Sequence, residues 1–507
     1  MACQPAPWAT LSRRAALAGG LAVAAGAHAQ APRTFRIALS GLPPGLGNPH
    51  SSLGFPQMYS WPAVFDCLTD VDASGRIVGM LADRWVNDDE RTWRFFLKSG
   101  IAFSNGEPCD AAAVAATLNY LVSDTGRSQA TYRDAQVIEQ AEAVDALTVR
   151  VRTVSADPII PGKMAGFRIV PPAYFARVGV AEFSRAPIGT GPFVAQRWDQ
   201  NLVRLARNPR AWRPPKVDAM ELRALPDTAA RLQALLSGAV DVALNLNPDD
   251  KAVVEAAGGR TVVTSRAAVL ALQYITERSS PLTKPQVRKA LNLAVDRRRI
   301  AQVILAGTTE AASQPTVAEA FGFAPGYAPL PYDPAEAKRL LADAGYPNGF
   351  RFPVTVNRGN SPNDTAVFQQ VAADLAAVGV EMVITTITLA QFNRLVYDGQ
   401  WGDAFAFSMH YGSLPAMDAT VGLRYHSCLW VKPWNCDEPI AALIRAADAT
   451  FDTERRRAIL QDIQRRLRDD PPGIILHETR YLDGLGPTVK TFDAPFGFIR
   501  YHALDLV

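Results

Sequence analysis

Short strand-like and helix-like segments alternate along almost the whole chain, and this alternation constrains the fold more than any other feature of the sequence. Residues 34–39 alternate apolar and polar side chains, which predicts a strand. Residues 111–122 place Val114, Leu118 and Leu121 on one helical face, which predicts a helix. The helix-then-strand order recurs at 228–244, 284–305, 334–345, 364–387 and 438–476. We therefore predict an α/β protein built on mixed sheets.

The first 29 residues have the order of a cleavable export signal. Arg13 and Arg14 precede an apolar run at 15–26, and small residues at 27–29 suit a cleavage site. The apolar run is well short of the roughly 20 residues that span a bilayer, which argues against a retained transmembrane helix. We therefore predict export, with a mature chain that begins near Gln30. The paired arginines also resemble a twin-arginine signal, so the choice between this route and the general one stays open.

The charge balance gives little support for a nucleic-acid partner. The formal net charge of +3 falls to +1 once Arg13 and Arg14 leave with the signal, and no basic run stands out. Nucleic-acid binding needs a concentration of positive charge that this chain does not show. Beyond the signal, no apolar stretch is long enough to span a membrane. We therefore predict an exported, soluble protein, long enough for two or three lobes.

Four of the five cysteines remain in the mature chain. Cys428 and Cys436 are separated by seven residues that include Pro433, so the intervening loop is short enough to close across a turn. In an oxidising compartment we expect these two cysteines to form a disulfide. The sequence leaves open whether Cys67 and Cys109 are bonded to each other or are buried free thiols.

The sequence lacks the common catalytic motifs. It contains no G-x-S-x-G elbow, no H-E-x-x-H zinc helix and no G-x-x-x-x-G-K-[ST] phosphate loop. Gly189-Thr190-Gly191 lacks the further glycine of a dinucleotide fingerprint. Paired carboxylates such as Asp88-Asp89 read as solvated turns. We therefore predict a protein with no enzymatic activity and no cofactor, with a hydrolase as the enzymatic alternative.

A series of recognisable motifs follows a fixed order along the chain. Near the N-terminus these include FDCLTDVD at 65–72, LADRW at 81–85 and the block at 93–108. Further motifs are PIGTGPF at 187–193, RNPRAW at 207–212, LLSGAVDV at 235–242, VRKALNLAVD at 287–296, and 332–349. Together they closely resemble extracellular solute-binding proteins of family 5, the peptide, nickel and opine binders that serve ATP-driven importers. The resemblance covers nearly the whole mature chain.

The resemblance implies a two-lobed periplasmic-binding-protein fold of type II, in its large class with an extra subdomain in the first lobe. The core of the first lobe would comprise residues 30–54, 186–268 and 483–507, with the extra subdomain at 55–185. The second lobe would comprise residues 269–482. Two strands would cross between the lobes near 269–274 and 473–477, and a ligand that contacts both walls of the cleft would favour the closed form.

The resemblance also implies a function, the periplasmic substrate-binding component of an ABC importer. Such a protein captures a small peptide or peptide-like solute between its lobes and delivers it to a membrane permease complex. The alternatives are a nickel or other metal chelate and an opine-like or anionic solute. We expect a monomer without catalytic residues. We also expect no dedicated metal site, because no two histidines have the close spacing of a local metal site.

The expected ligand-binding residues lie mainly in the second lobe. Peptide-binding relatives usually hold the α-ammonium group of the ligand with an Asp that follows an aromatic residue. An ungapped placement puts His410 at that position, and Asp418 is close enough in sequence to compensate. We expect the cleft to contain Phe407, His410, Tyr411 and Arg424, with Tyr274 and His477 near the crossing strands. His410 and Arg424 would hydrogen-bond the ligand, while the aromatic side chains would shape its apolar contacts.

Overall fold

The computed structural model describes residues 32–52, 54, 59–357, 359 and 361–507. The predicted export signal therefore lies outside the described residues. The strands are β1 (Thr34–Leu39), β2 (Thr69–Val71), β3 (Ile77–Gly79), β4 (Ala82–Asp89), β5 (Thr92–Leu97), β6 (Ile138–Ala143), β7 (Thr148–Thr153), β8 (Phe193–Trp198), β9 (Leu202–Arg207), β10 (Ala219–Ala224), β11 (Val242–Leu246), β12 (Arg260–Tyr274), β13 (Phe350–Asn357), β14 (Val380–Ile387), β15 (Ala406–Gly412), β16 (Gly473–Leu485), β17 (Val489–Thr491) and β18 (Asp505–Leu506).

The α-helices are α1 (Ala111–Val122), α2 (Tyr132–Ala135), α3 (Ile160–Lys163), α4 (Pro172–Arg185), α5 (Thr228–Leu236), α6 (Lys251–Ala256), α7 (Pro285–Leu293), α8 (Arg297–Arg299), α9 (Pro334–Asp343), α10 (Asp364–Ala376), α11 (Leu389–Asp398), α12 (Ala419–Tyr425), α13 (Glu438–Asp448) and α14 (Thr453–Asp469). Within the described part of the chain, no helix combines the length and the apolar character needed to cross a membrane.

Local sequence explains where several helices begin. The side chain of Asp110 accepts a hydrogen bond from the backbone N–H of Ala113 at 3.0 Å, which caps the start of α1. Asp227 caps α5 in the same way, at 2.8 Å from the nitrogen of Ala230. An aspartate at this position satisfies one of the free N–H groups of the first turn. The predicted helix at 111–122 therefore has the bounds of α1.

A ten-stranded sheet contains both predicted crossing segments. Its strand order is β14-β13-β15-β12-β16-β11-β1-β10-β9-β8. The first part of β12 pairs with the last part of β16, from Arg260 opposite Leu485 to Ser265 opposite Arg480. The last part of β12 pairs with both β15 and the beginning of β16. β11 pairs with the last part of β16, and β15 pairs with the last part of β12, at the opposite end of this strand pair. β12 and β16 therefore run from one half of the sheet to the other.

Separate apolar cores lie in the two halves of the molecule. Leu291 and Phe352 belong to a core formed by α7, α9, α10 and the strands β12 to β16. Phe35 and Leu222 belong to a second core around β1 and β10. A third core, which contains Phe95, joins α1 to the four-stranded sheet β4-β5-β7-β6. Their positions correspond to the second lobe, the first lobe and its extra subdomain, while the exact domain boundaries stay a prediction.

The extra subdomain also contacts the second lobe. The rings of Trp93 and Phe451 lie 6.2 Å apart, measured between their centroids. A guanidinium nitrogen of Arg133 donates to the hydroxyl of Tyr397 at 2.6 Å, and the same group lies 5.2 Å from the ring centroid of Tyr425. Phe451, which lies between α13 and α14, packs against the third core, whereas Tyr425 packs against a separate core that contains Trp434. The structure therefore represents a state in which the two lobes touch.

The prediction of a strand at the end of each of the windows 284–305 and 334–345 is wrong. These two windows contain helices only, although the structure describes both in full. Asp296 caps α8 by accepting a hydrogen bond from the N–H of Arg299 at 2.9 Å. The apolar run Ile300–Ile304 then continues as a π-helix. A side-chain cap at Asp296 favours a helix over an extended strand in the residues that follow it.

Cys428 and Cys436 are joined by a disulfide, the pairing that the sequence favoured. Cys67 and Cys109 are buried free thiols, which answers the question that the sequence left open. Burial raises the pKa of the Cys67 thiol to about 11. This thiol is therefore protonated, and poorly nucleophilic, at neutral pH.

Removal of the disulfide should lower the free energy of unfolding by about 2.5 kcal/mol, because a cross-link over a sequence separation of 8 restricts the unfolded chain. The variant would carry Cys428→Ser and Cys436→Ser together, so that no free thiol is left at the loop. Urea unfolding of wild type and variant checks the value. Reduced wild-type protein is the matched control, and equal midpoints in all three samples would contradict the prediction.

Candidate functional site

Polar side chains form a row along one face of β16, where this strand passes between the lobes. His477, Thr479, Tyr481 and Asp483 are alternate residues, so they project from the same face of the strand. His477 is 1% exposed and its neighbours in the row are largely buried as well. Buried polar groups in native proteins nearly always have hydrogen-bond partners. A buried polar row at the lobe boundary is therefore a candidate ligand site.

Arg266 of β12 lies beside this row. The regular pairing of β12 with β16 is interrupted between Ser265 and Val269, and Arg266 sits in the interruption with only 6% exposure. Its guanidinium group lies 4.8 Å from the ring centroid of Tyr481. The same group donates to the hydroxyl of Tyr59, and to Oδ1 of Asn245 at 3.1 Å. Arg266 thus joins first-lobe residues to the polar row.

Asp483 completes the charge distribution at this end of the row. It accepts hydrogen bonds from the Thr264 hydroxyl at 2.8 Å and from the backbone N–H of Asn245 at 2.9 Å. Burial raises the pKa of Asp483, and the nearby guanidinium of Arg266 opposes that shift. Burial also disfavours the charge on Arg266, but Tyr59 and Asp483 outweigh it and raise the pKa of Arg266. The site therefore keeps a buried cation at neutral pH.

Two histidines lie at the other end of the row, on either side of Leu270. His410 of β15 and His477 of β16 both pair with Leu270, so the structure brings these two predicted residues together. The ring nitrogen Nε2 of His410 is 2.9 Å from the hydroxyl of Ser361. Burial lowers the pKa of His410 and of His477 to about 4, so both rings are neutral at pH 7.

His477 offers a free hydrogen-bond acceptor. Its Nδ1 lies 2.7 Å from the backbone carbonyl oxygen of Glu478 and must donate the proton there. The neutral ring then has a lone pair at Nε2. This atom is buried and has no hydrogen-bond partner among the residues that the structure describes. A ligand N–H group is the natural partner for such an atom.

We expect the variant His477→Gln to show a weaker dependence of stability on pH between about 6.5 and 4. The pKa of His477 is about 4 in the folded protein and about 6.5 in the unfolded chain. Its stabilising contribution is complete above pH 6.5 and is lost as the pH falls, because the unfolded chain takes up the proton first. The slope should decrease by up to about 1.4 kcal/mol per pH unit. Urea unfolding at several pH values measures both slopes, and equal slopes would refute the prediction.

The structure places the other predicted residues away from the row. Phe407 and Tyr411 lie on the opposite face of β15 from His410, where Phe407 packs 5.1 Å from Trp434 and Tyr411 stacks 3.6 Å from His426, measured between ring centroids. Tyr274 is fully buried in the second-lobe core, and Arg424 is partly exposed and paired with Asp448. Their roles in ligand binding stay predictions.

Asp418 is fully occupied within the second lobe. Its two carboxylate oxygens accept from Nη1 and Nη2 of Arg456 at 2.6 Å and 2.9 Å. It also caps α12 by accepting from the N–H of Thr420 at 2.9 Å. Asp418 therefore has no free oxygen with which to bind a ligand ammonium group, so the suggested compensation for His410 is not supported.

No prepared metal site is apparent in the part of the chain that the structure describes. The one group of three close ligand atoms there comes from Cys428, Cys436 and Glu438. Both cysteines are already bonded to each other. A metal ion at the site would therefore have to arrive with its own ligands.

The sequence contains a signal for the residues that were missed. Six of the seven residues at 477–483 are polar, directly after the segment predicted to be a crossing strand, and Arg266 is the only charged residue between 261 and 276. A lone charge in an apolar strand and a polar run that continues a buried strand both indicate a lined cavity rather than a core. Tyr59 and Asn245 have no such signal, because only the fold brings them to Arg266.

A family model and curated relatives match this chain. Residues 76–427 match the model of bacterial extracellular solute-binding proteins, family 5 middle region. The glutathione-binding protein GsiB of Escherichia coli O1:K1 is 29% identical over 330 residues. That alignment covers 64% of this chain and 64% of GsiB, which is less than two thirds of the relative.

Solved structures share the fold over almost the full length. The Helicobacter pylori periplasmic binding protein DppA in complex with peptide STSA has a TM-score of 0.79 at 20% identity, covering 93% of this chain and 98% of DppA. Staphylococcus aureus NikA in complex with Ni(L-His)2 has a TM-score of 0.76 at 19% identity, covering 94% and 100%. These likenesses confirm the expected fold class, a mixed α/β protein with two lobes joined by crossing strands.

Proposed function

Because the chain belongs to the family 5 bacterial extracellular solute-binding proteins, we propose that it captures a small peptide or peptide-like solute between its lobes for an ABC importer. It would be exported by the signal at residues 1–29, act in the periplasm as a monomer, and pass its ligand to a membrane permease. It would bind that ligand without turning it over. The observation that carries the proposal is the buried row on β16, with His477 at one end and Arg266 of β12 beside the other.

The chemistry of this row suits a zwitterionic or acidic peptide. The guanidinium of Arg266 matches a carboxylate in charge and geometry. Nε2 of His477 accepts a hydrogen bond, which an amide or ammonium N–H of a peptide supplies. A peptide carries both groups, whereas a neutral sugar carries no carboxylate. The relatives that bind glutathione or the peptide STSA are consistent with this assignment.

A metal chelate is the second candidate. His410 and His477 flank Leu270 with neutral rings, and neutral imidazole is a good ligand for nickel. NikA, which has the same fold, was solved with Ni(L-His)2. Arg266 would then pair with a carboxylate of the chelator.

Calorimetric titration of the purified mature protein tests the proposal. The panel comprises glutathione, tripeptides and tetrapeptides with free termini, Ni(L-His)2, an opine and a disaccharide. We expect saturable binding of at least one free-acid peptide and no consumption of it after prolonged incubation. Ligands that bind only the folded state should also raise its melting temperature. Binding of the disaccharide alone, or turnover of a bound peptide, would overturn the proposal.

A further inference from the structure

A second polar cavity lies in the first lobe and shares no lining residue with the row on β16. It is bordered by the segment around Asp66 and Asp70, by Arg168, by Arg213 and by the C-terminal segment around Arg500. Its volume is about 30 Å³. Since one water needs about 10–15 Å³ of such space, the cavity can hold two or three waters or one small ion.

Arg168 is the unusual member of this lining. It is only 4% exposed, yet no carboxylate oxygen of a described residue forms an ion pair with it. Its Nη1 contacts the Cys67 sulfur at 3.2 Å and two backbone carbonyl oxygens at 3.2 Å and 3.4 Å. Its Nε is buried and has no hydrogen-bond partner among the described residues. A buried cation left in this state is costly, because its desolvation is not repaid by a counter-charge.

The carboxylates of the cavity are already committed to other arginines. Asp66 pairs with Arg213 at 2.5 Å, and its second oxygen accepts from Thr190 at 2.8 Å and Trp212 at 2.9 Å. Asp70 lies 3.8 Å from Arg500, which also approaches Asp493 at 3.5 Å. Arg213 and Arg500 therefore have carboxylate partners within 4 Å, whereas Arg168 has none among the described residues.

We propose that this cavity binds a small monovalent anion, of the size of chloride or formate, beside Arg168. One negative charge would supply the counter-charge that Arg168 lacks, and a space of about 30 Å³ suits a small ion. The buried Nε atom of Arg168, which has no partner among the described residues, would donate a hydrogen bond to the ion. A bound anion would thus join the segment at 66–70, Arg168 and the C-terminal segment around Arg500. This site is independent of the proposed peptide site.

Thermal unfolding with defined sodium salts at constant ionic strength tests the proposal. Sodium chloride or sodium formate replaces sodium gluconate, whose anion is too large for the cavity. The melting temperature of the wild type should rise saturably, by about 2 °C. Arg168→Met should abolish this response, whereas Arg177→Met, which removes an exposed arginine on α4, should keep it. Equal melting temperatures in all three salts, or an unchanged response in Arg168→Met, would overturn the proposal.

A crystallographic experiment on the wild type does not depend on how the variant folds. Crystals soaked in sodium bromide should show an anomalous peak within about 3.5 Å of the Arg168 guanidinium group, since halides accept hydrogen bonds from guanidinium donors. Bromide peaks on the surface with none in this cavity would overturn the proposal.

Discussion

Replacement of Arg266 with methionine should weaken the binding of a free-acid peptide by about 30- to 1000-fold. Truncation of one partner of a buried, hydrogen-bonded charge pair typically costs about 2–5 kcal/mol, and each 1.4 kcal/mol is tenfold in affinity. Methionine keeps much of the apolar bulk of arginine and removes only its charge and donors. The loss should therefore report the electrostatic contact between Arg266 and the ligand carboxylate.

Two controls separate this contact from other effects of the substitution. The C-terminal amide of the same peptide lacks the charged partner, so the wild type and the Arg266→Met variant should bind it with similar affinity. Arg424→Met removes the exposed arginine that the sequence indicated as a ligand contact, and it should leave the affinity for the free acid unchanged. Loss of affinity in Arg424→Met but not in Arg266→Met would return the site to the residues first predicted. Failure of the wild type to bind any peptide would refute the proposed function instead.

Replacement of Arg456 with methionine should destabilise the protein by about 3–5 kcal/mol. Arg456 and Asp418 form a two-point ion pair with side-chain exposures of 5% and 3%. Removal of the cation leaves the carboxylate of Asp418 buried without a counter-charge, which is far more costly than the absence of the whole pair. Urea unfolding at pH 7 measures the loss.

The double variant Asp418→Asn with Arg456→Met provides the internal comparison. Asparagine can still cap α12, and the pair of neutral side chains leaves no buried charge. We expect this double variant to lose less stability than Arg456→Met alone. If the double variant were the less stable of the two, the ion pair itself would contribute more to stability than the penalty of leaving one charge buried and unpaired.

Local sequence patterns were enough to predict regular elements but not the full length of the crossing strands. β1 and α1 have the predicted bounds, since apolar periodicity, a capping aspartate and a turn act within a few residues. The crossing strands were predicted at 269–274 and 473–477, whereas β12 begins at Arg260 and β16 ends at Leu485. The missing portions contain exposed residues such as Val263 and the interrupted pairing after Ser265, which obscure a continuous strand pattern.

The candidate site was less predictable because its members come from distant parts of the chain. Tyr59, Asn245 and Arg266 meet only after β11 and β12 take their places in the sheet. His410 and His477 were identified from the family resemblance, and the structure brings them together around Leu270. Alternation along a strand separates His410 from Phe407 and Tyr411, but which of the two faces lines the cleft follows only from the register and packing of the folded sheet.

The two irregular pairings between β12 and β16 have a mechanical consequence. A two-stranded ribbon is a thin joint, and rotation of the lobes about it must be absorbed by the backbone dihedrals of a few residues. The pairing shifts between Ser265 and Val269, and again between Leu270 and Ala271, where ladder hydrogen bonds are already missing. At the first shift β12 has β16 as its only neighbour up to Ala267, so bending there costs fewer bonds than at the second shift, where β15 also pairs with β12. Arg266 lies at the first shift and His477 faces the second. A ligand held by both side chains would therefore restrict the bending of the hinge.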